Sequence, residues 1–137
     1  MNDSKINVGT KIPDLELPQI SRTQLALYAG ASGDHNSIHI DSDFAKAVGV
    51  EDVFAHGMLS MAFLGRMLTN WQPQFFLKKF SVKFTAITHL NDIITCSGEV
   101  VEVVRGDKDT DAVCEIFAAN DKGEKTLVGK AIVSIRN

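Results

Sequence analysis

The chain is poor in the residue types that mark several classes of protein. It has two cysteines in 137 residues, and 14 lysines and arginines against 17 acidic residues. Cys96 and Cys114 are too few and too far apart for a disulfide framework or a zinc knuckle, so we expect both to be reduced and structural. Because there is no basic excess, nonspecific nucleic-acid binding has no electrostatic basis.

Long apolar runs are missing as well. The most apolar stretch, residues 57–68, includes Ser60 and Arg66 and is shorter than the ~20 residues that a membrane-spanning helix needs. The N-terminus is polar and has no apolar segment of the signal-peptide type, which predicts a cytoplasmic protein without a secretory signal. The remaining composition, 45% hydrophobic and 23% charged, is that of a globular protein, and this length favours one domain.

The first half of the chain, to about residue 70, has the pattern of helices and loops. Ser21 is a good N-cap for a first helix, which glycines at 30–33 should end. Asp41 or Ser42 can cap a short second helix that ends at Gly49. In the third segment, residues 56–70, apolar side chains occupy every side of a helical wheel, with small residues between them. A helix of this kind is expected to be buried on all sides.

The second half has the two-residue period of β-strands. Residues 79–86 alternate cleanly between polar and apolar, residues 127–135 repeat the pattern, and two β-rich segments lie between them. Gly98 is a plausible bulge. Four antiparallel strands, joined by the segment 12–17, would form a curved sheet around the third helix, which is an α+β arrangement. Its exposed edge would favour dimerisation.

Asp34 and His39 are the first candidate site residues. In a helix they would lie about 140° apart at roughly 100° per residue and could not share a substrate. Gly33, Asn36 and Ser37 are turn formers, so a compact loop can bring the two side chains together. A carboxyl group beside an imidazole is a workable proton-transfer pair near neutral pH.

The start of the third helix, His56-Gly57-Met58, is the second candidate element. Free N–H groups and the positive end of the helix dipole suit a developing oxyanion. Gly57 has no side chain, so a carbonyl group could approach its N–H closely. We expect His56 to orient the helix start and Asn36 to stabilise the turn, both in supporting roles.

Two motifs, YAGASGDHNSIH (28–39) and AHGMLSM (55–61), resemble those of the MaoC-like group of (R)-specific enoyl-CoA hydratases and 3-hydroxyacyl dehydratases, which have the hotdog fold. The likeness covers most of the chain and is especially close to single-hotdog dehydratase subunits. Two positions depart from the family pattern. Ser37 stands where the family usually has proline, and Gly65 stands where some hydratases have a polar residue.

The resemblance implies the chemistry. The substrate would be a thioester of coenzyme A or of an acyl carrier protein. In dehydration, His39 would take the C2 proton and Asp34 would protonate the leaving C3 hydroxyl, although these two roles could be exchanged. The Gly57 N–H would bind the thioester oxygen. The family also implies a homodimer, or a heterodimer with a related subunit, without a metal or redox cofactor.

Three alternatives remain open. His35 and His39, with Asp34 and Asp41 nearby, could bind a metal, but turn formers disfavour the helix that would align the histidines. A hotdog thioesterase usually needs a carboxylate on or near the central helix, and residues 57–70 contain none. A non-catalytic acyl-binding or partner subunit would have no need to retain both Asp34 and His39.

Overall fold

The fold combines one antiparallel sheet with three α-helices. The computed structural model describes residues 6–137; residues 1–5, on which the prediction of no secretory signal partly rests, lie outside the described residues. The elements are β1 (Lys11–Glu16), α1 (Arg22–Ser32), α2 (Ser42–Ala47), α3 (Gly57–Trp71), β2 (Leu77–Phe84), β3 (Thr95–Arg105), β4 (Asp109–Ala119) and β5 (Lys125–Arg136). Short 3₁₀ turns cover Ser37–His39 and Gln74–Phe76.

The five strands form one curved sheet in the order β1-β3-β4-β5-β2. All neighbouring strands are antiparallel. The four long strands and the contribution of the segment near residue 12 are as predicted. Strands β1 and β2 form the two edges of this sheet.

The predicted helix caps are confirmed. The Ser21 hydroxyl accepts a hydrogen bond from the Gln24 N–H at 3.2 Å. Gly33 ends α1 in the left-handed conformation with φ of 78°, which glycine adopts without steric cost. Of the two candidates for the second cap, Asp41 is the one used, and its carboxylate accepts from the N–H groups of Asp43 and Phe44.

Helix α3 packs against the inner face of the sheet and forms the centre of the hydrophobic core. Leu64, Met67 and Leu68 are at most 2% exposed. They belong to one buried cluster with strand residues such as Ile116 and Leu127. No helix among residues 6–137 is long and apolar enough to cross a membrane.

The prediction that α3 is buried on all sides is wrong for the single chain. Met58 is 55% exposed, and Ala62 and Arg66 on the same side of the helix are exposed too. One sheet can cover only one face of a helix. Contacts within one chain therefore do not explain the apolar residues Met58 and Ala62 on this exposed side, which also carries Arg66.

The prediction of a bulge at Gly98 is also wrong. Gly98 pairs regularly with Ile12 and Ile116, and the register shifts lie next to it, at 12–15 and 100–102. A Cβ atom at this position would lie 2.9 Å from Ile116 Cγ2 and 3.0 Å from Ile12 Cδ1. The glycine is needed because its two neighbours fill the space above it.

Candidate active site

The loop after α1 holds the first candidate residues in place by hydrogen bonds between residues two positions apart. The Ser32 hydroxyl accepts from the Asp34 N–H at 3.1 Å, and the Asp34 carboxylate accepts from the Asn36 N–H at 3.2 Å. The Asn36 side chain then accepts from the Ile38 N–H at 3.1 Å and caps the 3₁₀ turn. Asn36 therefore holds the turn that carries His39, as expected of a supporting residue.

The structure brings Asp34 and His39 together and adds His56. A carboxylate oxygen of Asp34 and one ring nitrogen of each histidine all lie within 4.8 Å of one another. Asp34 is exposed, His39 is half-buried and His56 is buried. The loop therefore places the proposed proton-transfer pair beside the start of α3.

The hydrogen bond of His39 identifies the nitrogen that is free to react. Nδ1 lies 2.7 Å from the Phe54 carbonyl oxygen, and the Phe54 ring meets the imidazole edge-on at 5.1 Å between ring centres. Because a carbonyl oxygen only accepts, Nδ1 carries the hydrogen. In the neutral ring, Nε2 then carries the lone pair and can accept a proton.

His56 lies beneath this pair. It is 2% exposed, and its Nε2 lies 3.1 Å from the main-chain oxygen of Asp34. Its ring stacks on that of His39, with centres 3.9 Å apart and planes 25° apart. The edge of Tyr28 meets the same ring at 4.8 Å. His56 is therefore fixed by α1, by the loop and by its own position before α3.

Tyr28 adds a neutral polar group to the site. Burial raises the pKa of its phenol above the usual value, and the nearby Asp34 carboxylate raises it further. The phenol therefore stays protonated at neutral pH. Because the pKa of Tyr28 is higher in the folded chain than in the unfolded one, this residue lowers the free energy of unfolding only in strongly alkaline solution. There the unfolded chain has already lost the proton that the folded chain still holds.

Gly57 is the first residue of α3 and is exposed. The first N–H groups of a helix have no acceptor within the helix, so this amide suits the predicted oxyanion role. The side-chain direction, however, is already occupied. A Cβ atom at Gly57 would lie 2.8 Å from two ring carbons of Phe84, a residue that is 54% exposed. A larger residue at this position would therefore require the Phe84 ring of β2 to shift.

Asp52 joins the elements that support the site. Its carboxylate accepts from the Ser42 hydroxyl at 2.6 Å and from the Val53 N–H at 2.8 Å, and it pairs with Arg22 at 2.9 Å. These contacts, the Ser42 hydrogen bond foremost, lower its pKa to about 2. They connect α1 and α2 to the segment that presents the Phe54 carbonyl group. Arg22 and Asp52 also line a cleft of about 880 Å³, whose lining does not include Asp34, His39 or Gly57.

The two cysteines are buried free thiols, in agreement with the sequence-based expectation. Burial raises the pKa of Cys96 to about 12 and that of Cys114 to about 11. Neither forms a thiolate near neutral pH, so neither can act as a nucleophile.

The residues that could form a metal site in the structure differ from those considered in the sequence. Within the described part of the chain, the cluster that could hold an ion is Asp34, His39 and His56, without His35 or Asp41. Lone pairs of an imidazole lie in the ring plane. Two rings stacked 3.9 Å apart at 25° direct them almost in parallel, so they do not converge on one ion with the short bonds that a metal requires.

Four contributors to the site were missed from the sequence. The sequence placed Tyr28 on the apolar face of α1 and Phe84 on a strand of alternating polar and apolar residues. Their contacts in the site could not be predicted, because they depend on how these elements pack. The Phe54 contribution is a main-chain oxygen, which carries no sequence signal. Asp52 was not considered, because its hydrogen bond to Ser42 and its ion pair with Arg22 depend on how α1 and α2 pack.

Comparison with known proteins defines the class. Residues 7–118 match the family described as MaoC like domain, and the chain belongs to this family. Its curved sheet and central helix are those of the hotdog fold, so the predicted family and fold are confirmed.

Two curated relatives are similar to the chain over much of its length. An (R)-specific enoyl-CoA hydratase of Rhodospirillum rubrum is 32% identical over 88 residues, which are 62% of this chain and 60% of that enzyme. The β subunit of a 3-oxo-4,17-pregnadiene-20-carboxyl-CoA hydratase of Mycobacterium tuberculosis is 30% identical over 100 residues, covering 72% of this chain and 77% of the subunit. The chain thus matches less than two thirds of the first enzyme.

Solved structures show the same architecture. The unliganded R-hydratase PhaJ1 of Pseudomonas aeruginosa superposes with a TM-score of 0.84 at 24% identity, covering 97% of this chain and 83% of that one. An (R)-hydratase of A. caviae involved in PHA biosynthesis gives 0.83 at 26% identity, covering 94% and 96%. The fold therefore extends over nearly the whole described chain.

Proposed function

We propose that this chain catalyses the reversible dehydration of (3R)-hydroxyacyl thioesters to trans-2-enoyl thioesters. The observation that carries the proposal is the approach of the Asp34 carboxylate to the His39 imidazole, within 4.8 Å, beside the first amide of α3. The relatives named as an (R)-specific enoyl-CoA hydratase and as the β subunit of a 3-oxo-4,17-pregnadiene-20-carboxyl-CoA hydratase support it. The thioesterase alternative lacks support, because α3 carries no carboxylate.

The two proton transfers can be assigned to particular atoms. In dehydration, the His39 Nε2 lone pair accepts the C2 proton, and Asp34 in its protonated form gives a proton to the C3 hydroxyl, which leaves as water. The Asp34 carboxylate and the His39 imidazolium that result are the forms that begin the hydration reaction. In hydration, Asp34 takes a proton from the attacking water and His39 returns one to C2. The free lone pair on Nε2, set by the Nδ1 hydrogen bond to Phe54, favours His39 as the base at C2.

The Gly57 amide would stabilise the enolate that forms when C2 loses its proton. The negative charge develops on the thioester oxygen, and the N–H at the positive end of α3 can donate to it. The proposed steps use proton transfer and this single donor. The proposal therefore includes no metal or redox cofactor, and it leaves either coenzyme A or an acyl carrier protein as the carrier.

We further propose that the active form is a dimer with a second hotdog subunit. Met58 and Ala62 expose an apolar face of α3, and β2 leaves one edge of the sheet without a neighbouring strand in the described chain. A solved relative of the same fold, the ChsH1-ChsH2 complex of M. tuberculosis, contains two different subunits.

Substitution of the catalytic pair tests the reaction. With crotonyl-CoA as substrate, Asp34→Asn and His39→Ala should each lower kcat by about 10²–10⁴, the range for removal of a general acid or base. The loss of enoyl-thioester absorbance measures the hydration rate. Asp34→Asn changes the carboxylate while leaving the side-chain oxygen that accepts from Asn36.

Asp43→Asn provides the matched control, because Asp43 is an exposed carboxylate in the first turn of α2. It should leave the hydration rate unchanged. Near-wild-type kcat in a folded Asp34→Asn or His39→Ala protein would refute the assignment of that residue.

A further inference from the structure

His56 contacts both members of the proposed catalytic pair, although the proposed reaction gives it no chemical step. Its Nε2 lies 3.1 Å from the main-chain oxygen of Asp34. Its ring covers one face of the His39 ring at 3.9 Å. Any movement of His56 would therefore disturb the residue that exchanges a proton at C3 and the residue that exchanges one at C2.

The hydrogen bond to Asp34 also defines the tautomer of His56. A carbonyl oxygen only accepts, so Nε2 carries the hydrogen and Nδ1 of the neutral ring carries a lone pair. This Nδ1 is buried and has no hydrogen-bond partner in the structure. A buried acceptor without a donor is costly, so a donor at this position would stabilise the arrangement.

Ser60 can supply that donor. Its hydroxyl is buried and is likewise without a partner. Ser60 is the fourth residue of α3, and His56 is the residue that precedes the helix as its N-cap, so the two lie about one helical turn apart along the chain. The structure shows no direct hydrogen bond between the two groups, so we infer that the hydroxyl donates to Nδ1 through one bridging water molecule. This would satisfy both groups and hold the ring in the Nε2–H tautomer.

We propose that His56, with its tautomer held by Ser60, is the positioning residue of the active site. The inference rests on the proposed function, since it assigns His56 a role in aligning Asp34 and His39 for the same reaction. The Nε2–H bond fixes the main chain from which the Asp34 carboxylate extends. The stacked ring fixes the plane of His39 and thus the direction in which its Nε2 lone pair points.

The packing around His56 explains how it can hold this geometry. The side chain is 2% exposed, and the Tyr28 ring packs edge-on against it with 4.8 Å between ring centres. These contacts restrict rotation of the His56 ring. Catalysis is sensitive to such restraint, because a misplacement of about 1 Å can lower a rate about 10²-fold. The face of an aromatic ring also attracts a cation, so the stack suits the imidazolium that His39 becomes after accepting a proton.

Two conservative variants separate the contacts of His56. His56→Gln retains an N–H donor for the Asp34 carbonyl group but removes the stacked ring. His56→Phe retains the ring but removes the donor. In crotonyl-CoA hydration we expect each to lower kcat by about 10–10² while KM stays nearly unchanged, because alignment rather than substrate binding is lost. Ser60→Ala should lower kcat in the same way but by less.

His35→Gln is the matched control, because His35 is an exposed histidine in the same loop and should leave kcat unchanged. Thermal unfolding of each variant establishes that the protein is folded. If His56→Phe fails to fold, Ser60→Ala tests the same arrangement with the His56 ring in place. Wild-type kcat in folded His56→Gln, His56→Phe and Ser60→Ala would overturn the inference.

Nitrogen NMR of the His39 imidazole provides a readout that does not depend on activity. The wild-type protein should show His39 as a single tautomer with its hydrogen on Nδ1, because the stacked ring holds the imidazole against the Phe54 carbonyl group. Without the stack, the His39 ring of His56→Gln should turn away from that carbonyl group part of the time and show a mixture of tautomers. If the wild type does not hydrate any enoyl thioester but this change is seen, the proposed function fails and the positioning role stands. Unchanged His39 signals in His56→Gln would contradict the positioning role.

Discussion

At the scale of single residues, the site depends on contacts that a sequence does not express. Turn formers around a carboxylate and an imidazole made Asp34 and His39 candidates, and the start of a helix made Gly57 one; the structure brings a carboxylate oxygen of Asp34 and a ring nitrogen of His39 within 4.8 Å of each other. His56 was expected only to orient the helix start. Its stack on His39 arises from the packing of a loop against a helix, and no local pattern predicts that.

Gly98 provides a residue-scale prediction about stability. Gly98→Ala would insert a methyl group between Ile12 and Ile116, both within about 3 Å of the new atom. Because this overpacks a filled region of the sheet, we expect the free energy of unfolding to fall by about 1–3 kcal/mol. Urea unfolding monitored by circular dichroism measures the change.

Gly30→Ala is the opposite case and serves as the control. Gly30 lies in α1, and a Cβ atom there would meet nothing within 4 Å. Alanine is a better helix former, so this substitution should stabilise the protein by about 0.5–1 kcal/mol. Equal effects of the two substitutions would show that neighbouring side chains do not determine the requirement for Gly98.

At the scale of elements, capping residues and strand periodicity were sufficient to predict most of the helix ends and strands. Ser21, Gly33 and Asp41 define helix ends through local hydrogen bonds and backbone conformation, which is why the sequence indicates them well. The exposed face of α3 could not be predicted in the same way. Its apolar residues indicated burial, but periodicity does not say whether the covering surface belongs to the same chain.

The 3₁₀ turn at Ser37–His39 is the element that presents His39, and it forms although Ser37 replaces the family proline. Asn36 has φ of −57° and ψ of 125°, a conformation allowed before proline, and Ser37 is the first residue of the turn. Ser37→Pro should therefore stabilise the protein by about 0.4–1 kcal/mol through the unfolded state, with hydration activity retained. Thermal and urea unfolding measure this gain.

Ile38→Pro is the matched control for this turn. Its N–H donates to the Asn36 side chain at 3.1 Å, and proline would remove that donor. Ile38→Pro should therefore lower both stability and activity. A loss of stability in Ser37→Pro would show that the turn depends on a feature that only serine provides there.

At the scale of the whole molecule, the apolar outer face of α3 and the open edge of β2 predict assembly. The purified chain should elute as a dimer, with twice the 15.0 kDa mass of one chain. Ala62→Arg places a charge on the exposed face of α3, so it should produce monomers and lower the hydration rate. Light scattering after gel filtration measures the mass.

Ala26→Arg, at an exposed position of α1, is the control and should leave the dimer intact. A wild-type monomer with full activity would contradict the proposed assembly. An inactive homodimer that becomes active only with a second hotdog subunit would instead favour the heterodimer.

The central claim is that a carboxylate, an imidazole and a helix-terminal amide together add water to an enoyl thioester on one face. The most direct measurement is the configuration of the product that the wild-type protein forms from crotonyl-CoA, determined by chiral chromatography after hydrolysis of the thioester. We predict the (3R)-hydroxy product, in an amount far exceeding that formed by Asp34→Asn at the same protein concentration. Exclusive formation of the (3S) product, or equal amounts from both proteins, would contradict the account.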